Sequence, residues 1–210
     1  LPVRDVQATT LWGDSHEVTW GGTFLFETTS NDYREFRSPA GSVNPAAAVA
    51  HNPEDWGNNT TVSDRSDYTT LGLFAQDDWQ ITESFSLLTG LRYSRMDWSF
   101  GDVEGDADDV TGSARGIVNL TPTQRLFAGV SKAFRAPNLQ NLDGAVDRGS
   151  SGQAAQGNPD LEPEISWTTE GGWRWKDGGD ALALTVFHTE IDDLIQRDFR
   201  DGAGEFTNVE

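Results

Sequence analysis

The sequence contains no cysteine and few histidines, which removes several kinds of site at the outset. With 0 Cys among 210 residues, disulfide frameworks, thiolate zinc sites and cysteine nucleophiles are excluded. The 3 histidines, His16, His51 and His188, are scattered and lack the spacing of metal ligands. The chain therefore offers no thiol chemistry and no recognisable zinc or haem site.

Positive charge is scarce as well. Lys and Arg number 15 against 34 Asp and Glu, which gives a formal net charge of -19. Nucleic acids and anionic membrane surfaces are bound through basic surfaces. We therefore expect neither a nucleic acid nor an anionic membrane face as a partner.

Long hydrophobic runs are also missing. No stretch approaches the roughly 18 apolar residues that a membrane helix requires. Hydrophobic residues make up 36% of the chain, yet it contains 8 Trp, 11 Phe and 22 Gly, and this balance is typical of β structure. A membrane-spanning barrel remains compatible with these numbers because its strands alternate between apolar and polar residues.

One local pattern repeats along the chain: a strand of about ten residues, a short turn and a second strand. Gly, Asp-Gly and Gly-Gly between alternating runs favour hairpin turns because these residues tolerate positive φ. Short turns are predicted at residues 13–15, 80–83, 121–123 and 176–180. The strands are predicted over residues 18–28 with a partner before residue 13, 71–79 with 85–98, 111–120 with 126–134, and 165–175 with 182–191, and residues 205–209 are predicted to open a ninth strand.

The connections between these hairpins are long and polar. Residues 29–68 and 138–164 are rich in Asn, Ser, Gly and Pro, and a shorter connection over residues 101–109 consists of Gly and acidic residues. Alternation of short and long connections is typical of a transmembrane barrel, with short periplasmic turns and long extracellular loops. The sequence therefore predicts an all-β fold, an antiparallel up-and-down transmembrane β-barrel segment of about eight or nine strands.

Charged side chains within the predicted strands share one face. In strand 165–175, Glu170 and Arg174 alternate with apolar residues such as Trp173. A Lys or Arg facing lipid at mid-bilayer costs roughly 2–4 kcal/mol, whereas the barrel interior tolerates it. Lys132 and Asp77 fall on the predicted apolar faces, near strand ends, where the cost drops to about 0–1 kcal/mol.

Aromatic side chains gather at two levels, which predicts girdles at the two membrane interfaces, with ordinary β-core aromatics as the alternative. One group lies near the short turns and the other near the long connections. The first contains Trp12, Trp79 and Trp175, and the second contains Tyr68, Tyr93, Trp98 and Phe134.

Two short motifs flank the second long connection. The first comprises Phe134, Arg135, Ala136 and Pro137, and the second comprises Asn158, Pro159, Asp160 and Leu161. This pair resembles the FRAP and NP(D/N)L boxes in the C-terminal half of TonB-dependent outer-membrane receptors. In that family the first box ends a strand at the cell surface and the second precedes the next strand. The resemblance covers most of residues 68–209.

The resemblance implies a Gram-negative outer-membrane receptor that imports iron chelates, siderophores, haem, cobalamin or similar solutes. It also implies a 22-stranded barrel closed by a plug and energised through TonB. Residues 1–210 are interpreted as part of the barrel and as an internal piece of a longer precursor, since no plug, TonB-contacting segment or signal peptide is recognised. Haem receptors of the family carry a His between the boxes, and none lies between Phe134 and Asn158, so the resemblance does not extend to haem.

Polar residues beyond the first box are candidate ligand contacts, because loops at a surface carry most binding function. The box residues themselves are interpreted as mainly structural: Pro137 ends the strand ladder, and Arg135 is expected to pair with a carboxylate. The ligand-binding candidates are Asn138, Gln140, Asn141, Arg148 and Gln153.

An acidic stretch is a second candidate site. Clustered carboxylates on a Gly-bearing loop could hold Ca²⁺ through oxygen ligands, although the spacing is not that of a helical calcium loop. The alternative is a solvated acidic surface loop, and no other cofactor is expected. The residues concerned are Asp102, Glu104, Asp106, Asp108 and Asp109.

No catalytic arrangement is recognisable, so we do not expect an enzyme. The predicted partners are outer-membrane lipid, a small-molecule metal chelate and the TonB complex, the last through a plug outside this chain. Three alternatives remain open at this point: a passive porin or small closed barrel, a barrel enzyme such as a protease or lipase, and a soluble β-sandwich or lectin.

Overall fold

The computed structural model describes residues 3–30, 35–37, 49–51, 65–146, 154–198 and 204–209. Eight long strands form one sheet in which each strand is antiparallel to its neighbours. Their order follows the chain, so the topology is up-and-down. This confirms the predicted fold class. Among the described residues, no helix has the length and apolar character needed to cross a membrane.

The eight strands of this main sheet are long, and their bounds extend beyond the predicted ones at almost every end. They are β1 (Val3–Trp12), β2 (His16–Ser30), β5 (Arg65–Thr82), β6 (Phe85–Phe100), β7 (Val103–Thr121), β8 (Gln124–Arg135), β11 (Glu164–Asp177) and β12 (Asp180–Asp192).

The remaining elements are short and belong to the connections at one end of the main sheet. The ninth predicted strand exists, but it joins a separate four-stranded sheet of order β13-β14-β10-β9 and does not extend the main one. The short elements are β3 (Glu35–Arg37), β4 (Val49–His51), α1 (Leu139–Asp143), β9 (Gly144–Val146), β10 (Ala154–Gln156), β13 (Leu194–Asp198) and β14 (Gly204–Val209).

The connections at the opposite end are all short, as predicted: turns of two or three residues link β1 to β2, β5 to β6, β7 to β8 and β11 to β12. The prediction of a loop over residues 101–109 was wrong. Gly101 and Asp102 form a tight turn, with φ of 54° at the glycine, and β7 begins at Val103. The acidic residues beyond this turn pair in register with β6, from Glu104↔Ser99 to Asp109↔Ser94. Strand pairing satisfies their backbone groups, so no loop forms.

The two faces of the main sheet differ in chemistry. Along β8, Arg125, Phe127 and Gly129 lie on what we call the polar face, and Leu126 and Val130 lie on the apolar face. Residues that pair across neighbouring strands lie on the same face, so the division extends across the sheet. Gly129, for example, pairs with Arg115 of β7 and with Glu170 of β11. The apolar face exposes large side chains throughout, including Leu73 (52%), Leu91 (65%) and Val186 (68%). A folded soluble protein rarely exposes so much contiguous apolar surface.

The height of the apolar face matches a membrane. On β7 it runs from Val110 to Leu120, and the next residue outward on that face is Asp108. Ten steps of about 3.3 Å, tilted by about 40°, correspond to a band about 25 Å tall. Above this level the same face carries Arg95, whose guanidinium lies 2.8 Å from Asp97 and 3.4 Å from Asp106.

The two charged residues predicted on the apolar face near strand ends, Lys132 and Asp77, both have partners. The Lys132 ammonium lies 2.6 Å from the Asp109 carboxylate, beyond Ser131, where the paired register between β7 and β8 ends. At the other end of the sheet, the His16 ring lies 2.8 Å from Asp77 and stacks on Trp79. Pairing lowers the cost of a charge near lipid, which explains why both are tolerated.

The prediction of two aromatic girdles holds at the level of the short turns and in part at the other level, where Tyr93 lies on the apolar face. Trp12 and Trp79 near the short turns are exposed on the apolar face, at 76% and 38%. At the other level the expectation was wrong for Tyr68 and Trp98, which lie on the polar face and stack on each other at 6.3 Å. Trp98 is only 7% exposed. The even residues of β6 point to this face, and a cluster of packed connection residues covers it at that end.

Candidate ligand-binding rim

The segment after β8 turns back over the polar face of the sheet. Asn138 caps α1: its side-chain oxygen accepts from the Asn141 backbone N–H at 2.9 Å, and the Asn138 N–H donates to the Asn141 side-chain oxygen at 3.1 Å. This reciprocal arrangement is a capping box, which satisfies backbone donors at both residues. It explains how a helix of only five residues forms here.

A small hydrophobic core, which we call the rim core, forms where α1 meets the sheet. Leu142 of α1 is 1% exposed, and Pro137 is also fully buried. The Pro137 carbonyl accepts a hydrogen bond from the Tyr68 hydroxyl at 3.1 Å. The core thus joins the first box to β5 and β6. Its buried members are Trp98, Phe100, Ala107, Ala136 and Leu142, with Tyr68, Met96, Val103, Phe134 and Leu139 packed around them.

Arg135 and Glu164 join the two strands that the boxes delimit. They are direct cross-strand neighbours, and the guanidinium donates to both carboxylate oxygens, at 2.5 and 2.7 Å. The carboxylate partner expected for Arg135 is therefore Glu164. The same carboxylate accepts from the Ile195 backbone N–H at 2.8 Å, which attaches β13 to the rim. A bidentate pair of this kind fixes geometry as well as charge.

The second box is held by asparagine hydrogen bonds. The Asn158 N–H donates to the Asn141 carbonyl at 2.9 Å, and its side-chain amide donates to the Phe206 carbonyl at 3.0 Å. Its side-chain oxygen accepts from the Asp160 N–H. Leu161, 6% exposed, anchors the end of the box. Asn158 of the second box is therefore in direct contact with α1, which follows the first box, and it also binds β14.

A matching contribution comes from Asn208 on β14. Its side-chain oxygen accepts from the Glu162 N–H at 2.8 Å, and its amide donates to the carbonyls of Glu162 and Asp193 at 2.9 and 2.7 Å. Asp193 needs this support because it has a positive φ of 56°, unusual for a non-glycine residue. Asn158 and Asn208 together hold the small sheet against the start of β11.

Comparison with known proteins identifies this arrangement. A family model described as TonB dependent receptor-like, beta-barrel, matches residues 3–209. The chain belongs to this receptor family. It is therefore a wall segment of a Gram-negative outer-membrane barrel, with its apolar face toward lipid and its polar face toward the barrel interior.

Curated proteins with similar sequences include two from the outer membrane or named as receptors. The chain is 34% identical over 125 residues to an iron-regulated outer membrane virulence protein of Vibrio cholerae, and 27% identical over 154 residues to the ferric enterobactin receptor of Pseudomonas aeruginosa. These matches cover 59% and 66% of this chain but span only 18% and 20% of those proteins.

Solved structures show the same fold at low sequence identity. The copper transporter OprC matches with a TM-score of 0.71 at 16% identity, over 98% of this chain and 31% of that one. The siderophore receptor PirA from Pseudomonas aeruginosa matches with a TM-score of 0.69 at 19% identity, over 99% of this chain and 34% of that one.

Within this receptor wall, the predicted ligand contacts have different surroundings. Gln140 is exposed on α1 and stays a candidate. Asn141 is 8% exposed and occupied by the capping box, so the structure does not present its side chain to a ligand. Asn138 is exposed, although its side-chain oxygen is used in the cap. Arg148 and Gln153 lie outside the described residues.

The acidic residues predicted to bind calcium do not converge. Glu104, Asp106 and Asp108 lie on the lipid-side face of β7 above the apolar band, and Asp109, on the opposite face of β7, is ion-paired with Lys132 of β8. Asp102 is in the turn. Within the part of the chain that the structure describes, no group of three or more such residues is placed to hold a metal ion. The loop that motivated the interpretation is a strand, and calcium binding stays a prediction.

Sequence reasoning missed the hydrogen bonds that assemble the rim. The Asn138 and Asn141 spacing, with Leu142 following, is a capping signal that could have been recognised. The even-numbered Trp98 and Phe100 share a face with Arg92 and Ser94, which could have indicated an inward position. Nothing in the sequence near Asn208 indicated its role.

Proposed function

We propose that the protein containing this chain is an outer-membrane receptor that binds an iron chelate and imports it with energy supplied through TonB. The family match over residues 3–209 carries this proposal. Curated relatives named as an iron-regulated outer membrane protein and as a ferric enterobactin receptor support iron as the cargo. In this proposal the chain supplies part of the barrel wall and one sector of its extracellular rim.

The rim gives the proposal a structural basis. Capping of α1, the rim core and the Arg135–Glu164 pair hold the two ends of the second long connection in fixed positions. A chelate bound at the outer mouth would then meet a connection whose ends do not move. Fixed ends reduce the ordering cost of binding. Gln140, Arg148 and Gln153 are the contacts we propose within it.

The test is a deletion of residues 144–156 in the full-length receptor. Asn141 and Asn158 are already hydrogen bonded at 2.9 Å, so the ends of the deletion lie close together and both boxes stay intact. We expect saturable binding and uptake of radioactive ferric enterobactin by iron-starved cells to fall at least tenfold, with uptake abolished in a strain lacking TonB.

The matched control replaces Gly101 and Asp102 by Asn and Gly, which keeps the tight turn between β6 and β7 and lies outside the proposed contact region. Its uptake should equal that of the parent. Undiminished uptake in the deletion variant would contradict the proposal that this connection binds the chelate. Entry of the chelate that neither saturates nor depends on TonB would contradict the receptor itself and favour a passive pore.

A further inference from the structure

Two arginines face each other across neighbouring strands on the inner wall. Arg125 of β8 and Arg174 of β11 are direct partners in the register, on the polar face near the short-turn end. Like charges directly opposite on a sheet destabilise it. Both side chains are exposed, and neither forms an ion pair with a carboxylate among the described residues.

The surroundings fix at least one of these guanidinium groups in place. Arg174 lies over the Phe127 ring at 5.1 Å, and Arg115 approaches the same ring at 5.4 Å. Phe127 is 8% exposed, so it forms a rigid platform for both. Arg115 reaches past Gly129, which has no side chain, and pairs with Glu170. Glu170, a carboxylate on the same face and strand as Arg174, is therefore already paired.

The polar-face residues next to the arginine pair, along and across the strands, are neutral or positive. One row nearer the turns, Lys176 adds a third cation to the polar face, and on the other side of Arg125 the register partner is the neutral Asn119. In a chain with a net charge of -19, this local excess of cations is not a consequence of composition. An uncompensated cation cluster of this kind fits an anion.

We propose that Arg125 and Arg174 form a carboxylate-binding site on the inner wall of the barrel, near its periplasmic end. The planar guanidinium presents a donor fork that matches a carboxylate, and cation–π contact with Phe127 holds the Arg174 fork in place. The carboxylate comes either from an acidic side chain of a protein segment inside the barrel or from a carboxylate-bearing solute in transit. The site goes beyond iron uptake, because it is inferred from the barrel wall and does not require that the cargo is iron.

The test compares Arg125→Gln and Arg174→Gln with Arg4→Gln in the purified full-length receptor. Arg4 is an exposed arginine near the outer end of β1 on the apolar face, where a charge costs only about 0–1 kcal/mol, so its replacement makes the same charge change away from the site. Thermal unfolding is measured at constant ionic strength, with and without citrate as a carboxylate probe. Without a carboxylate partner, removing one arginine relieves repulsion and raises the unfolding temperature or leaves it unchanged.

The two sources give different results. If the carboxylate belongs to a protein segment, both site variants should unfold at a temperature roughly 2–4 °C below that of Arg4→Gln. Citrate should then have no effect on the unfolding temperature of the wild type. A solute site predicts that citrate raises the unfolding temperature of the wild type and of Arg4→Gln but not of the site variants. Site variants that are as stable as the control, together with no citrate effect on any protein, would overturn the proposal.

A measurement on the wild type covers the case in which the variants do not fold. Phenylglyoxal modifies accessible arginines, and the modified positions can be mapped by mass spectrometry. A site held by a protein carboxylate leaves Arg125 and Arg174 protected in the folded receptor, and a solute site leaves them protected only when citrate is present. Complete modification of both arginines with citrate present would overturn the proposal.

Discussion

At the scale of single residues, a glycine is important for stability where a neighbouring group lies too close to leave room for a Cβ atom. A Cβ on Gly172 would lie 2.5 Å from the Leu184 carbonyl oxygen and 2.5 Å from the Phe127 ring, whereas one on the adjacent Gly171 would meet nothing nearer than 3.6 Å. We therefore expect Gly172→Ala to destabilise the full-length protein by about 1–3 kcal/mol through overpacking. Gly171→Ala is the matched control, and denaturant unfolding is the measurement. Equal losses of stability in the two variants would show that the close contact of Gly172 with Phe127 does not determine the effect.

The half-buried ion pair between Lys132 and Asp109 gives a second prediction at this scale. Their side chains are 21% and 19% exposed, so removing one partner leaves the other charge poorly solvated. Lys132→Met alone should cost about 1–3 kcal/mol. The double variant Lys132→Met with Asp109→Asn should recover much of this loss. Additive losses in the double-mutant cycle would indicate that the two residues act independently.

The role of a residue could be predicted where the residues that determine it are close in the sequence. The capping of α1 depends on Asn138 and Asn141, which are three positions apart, and the partner of Arg135 follows from its position at the end of a strand. By contrast, the Tyr68 hydroxyl binds the carbonyl of Pro137, 69 residues away. Such a contact depends on how the connection folds over the sheet, and no periodic pattern encodes it.

At the scale of elements, β14 is attached to the rim by two asparagine side chains, Asn158 and Asn208, and Asn208 makes the larger number of hydrogen bonds. Asn208 makes three hydrogen bonds, to both backbone groups of Glu162 and to the Asp193 carbonyl. We expect Asn208→Ala to release β13 and β14 together, because each of the three lost hydrogen bonds costs about 1 kcal/mol. Hydrogen exchange of residues 194–198 and 204–209 should accelerate at least tenfold. The control is Asn119→Ala, whose exposed side chain lies on the polar face of β7.

An Asn208 variant with unchanged exchange in β13 and β14 would mean that strand pairing within the small sheet suffices to hold them. Accelerated exchange throughout β11 would mean instead that the rim unfolds as one unit with the wall. The expected result lies between these, since β11 also pairs with β8 and β12 along almost its whole length.

Elements were predictable from alternation but their ends were not. Strand existence followed from period-two patterns, and all eight wall strands were found in the predicted order. The acidic residues after Gly101 were predicted to form a loop because charged residues are rare on a lipid-facing strand. It is a strand because β6 and β7 rise above the apolar band, where water solvates Asp106 and Asp108. Hydropathy cannot separate a strand in water from a loop.

At the scale of the whole molecule, the main sheet has two edges whose backbone groups need partners. β12 pairs only with β11 in this sheet, and every one of its residues is exposed, including Val186 at 68% and Phe187 at 71%. β1 pairs only with β2. In a bilayer, each unpaired N–H or C=O group costs several kcal/mol, so an open sheet is not stable there. The remaining wall of a receptor barrel supplies the missing pairing.

We therefore expect residues 1–210 expressed alone to aggregate or to remain unfolded in detergent, whereas the full-length receptor migrates as a compact, heat-modifiable band in electrophoresis. Charged residues added to the edge strands β1 and β12 would not allow the isolated chain to fold, because it lacks backbone hydrogen bonds and not solubility. Adding back the strands that flank β1 and β12 should restore heat modifiability only when the barrel closes. A monomeric, heat-modifiable fold of the isolated chain would show instead that its eight strands close on themselves, with β1 paired to β12 as in a small barrel.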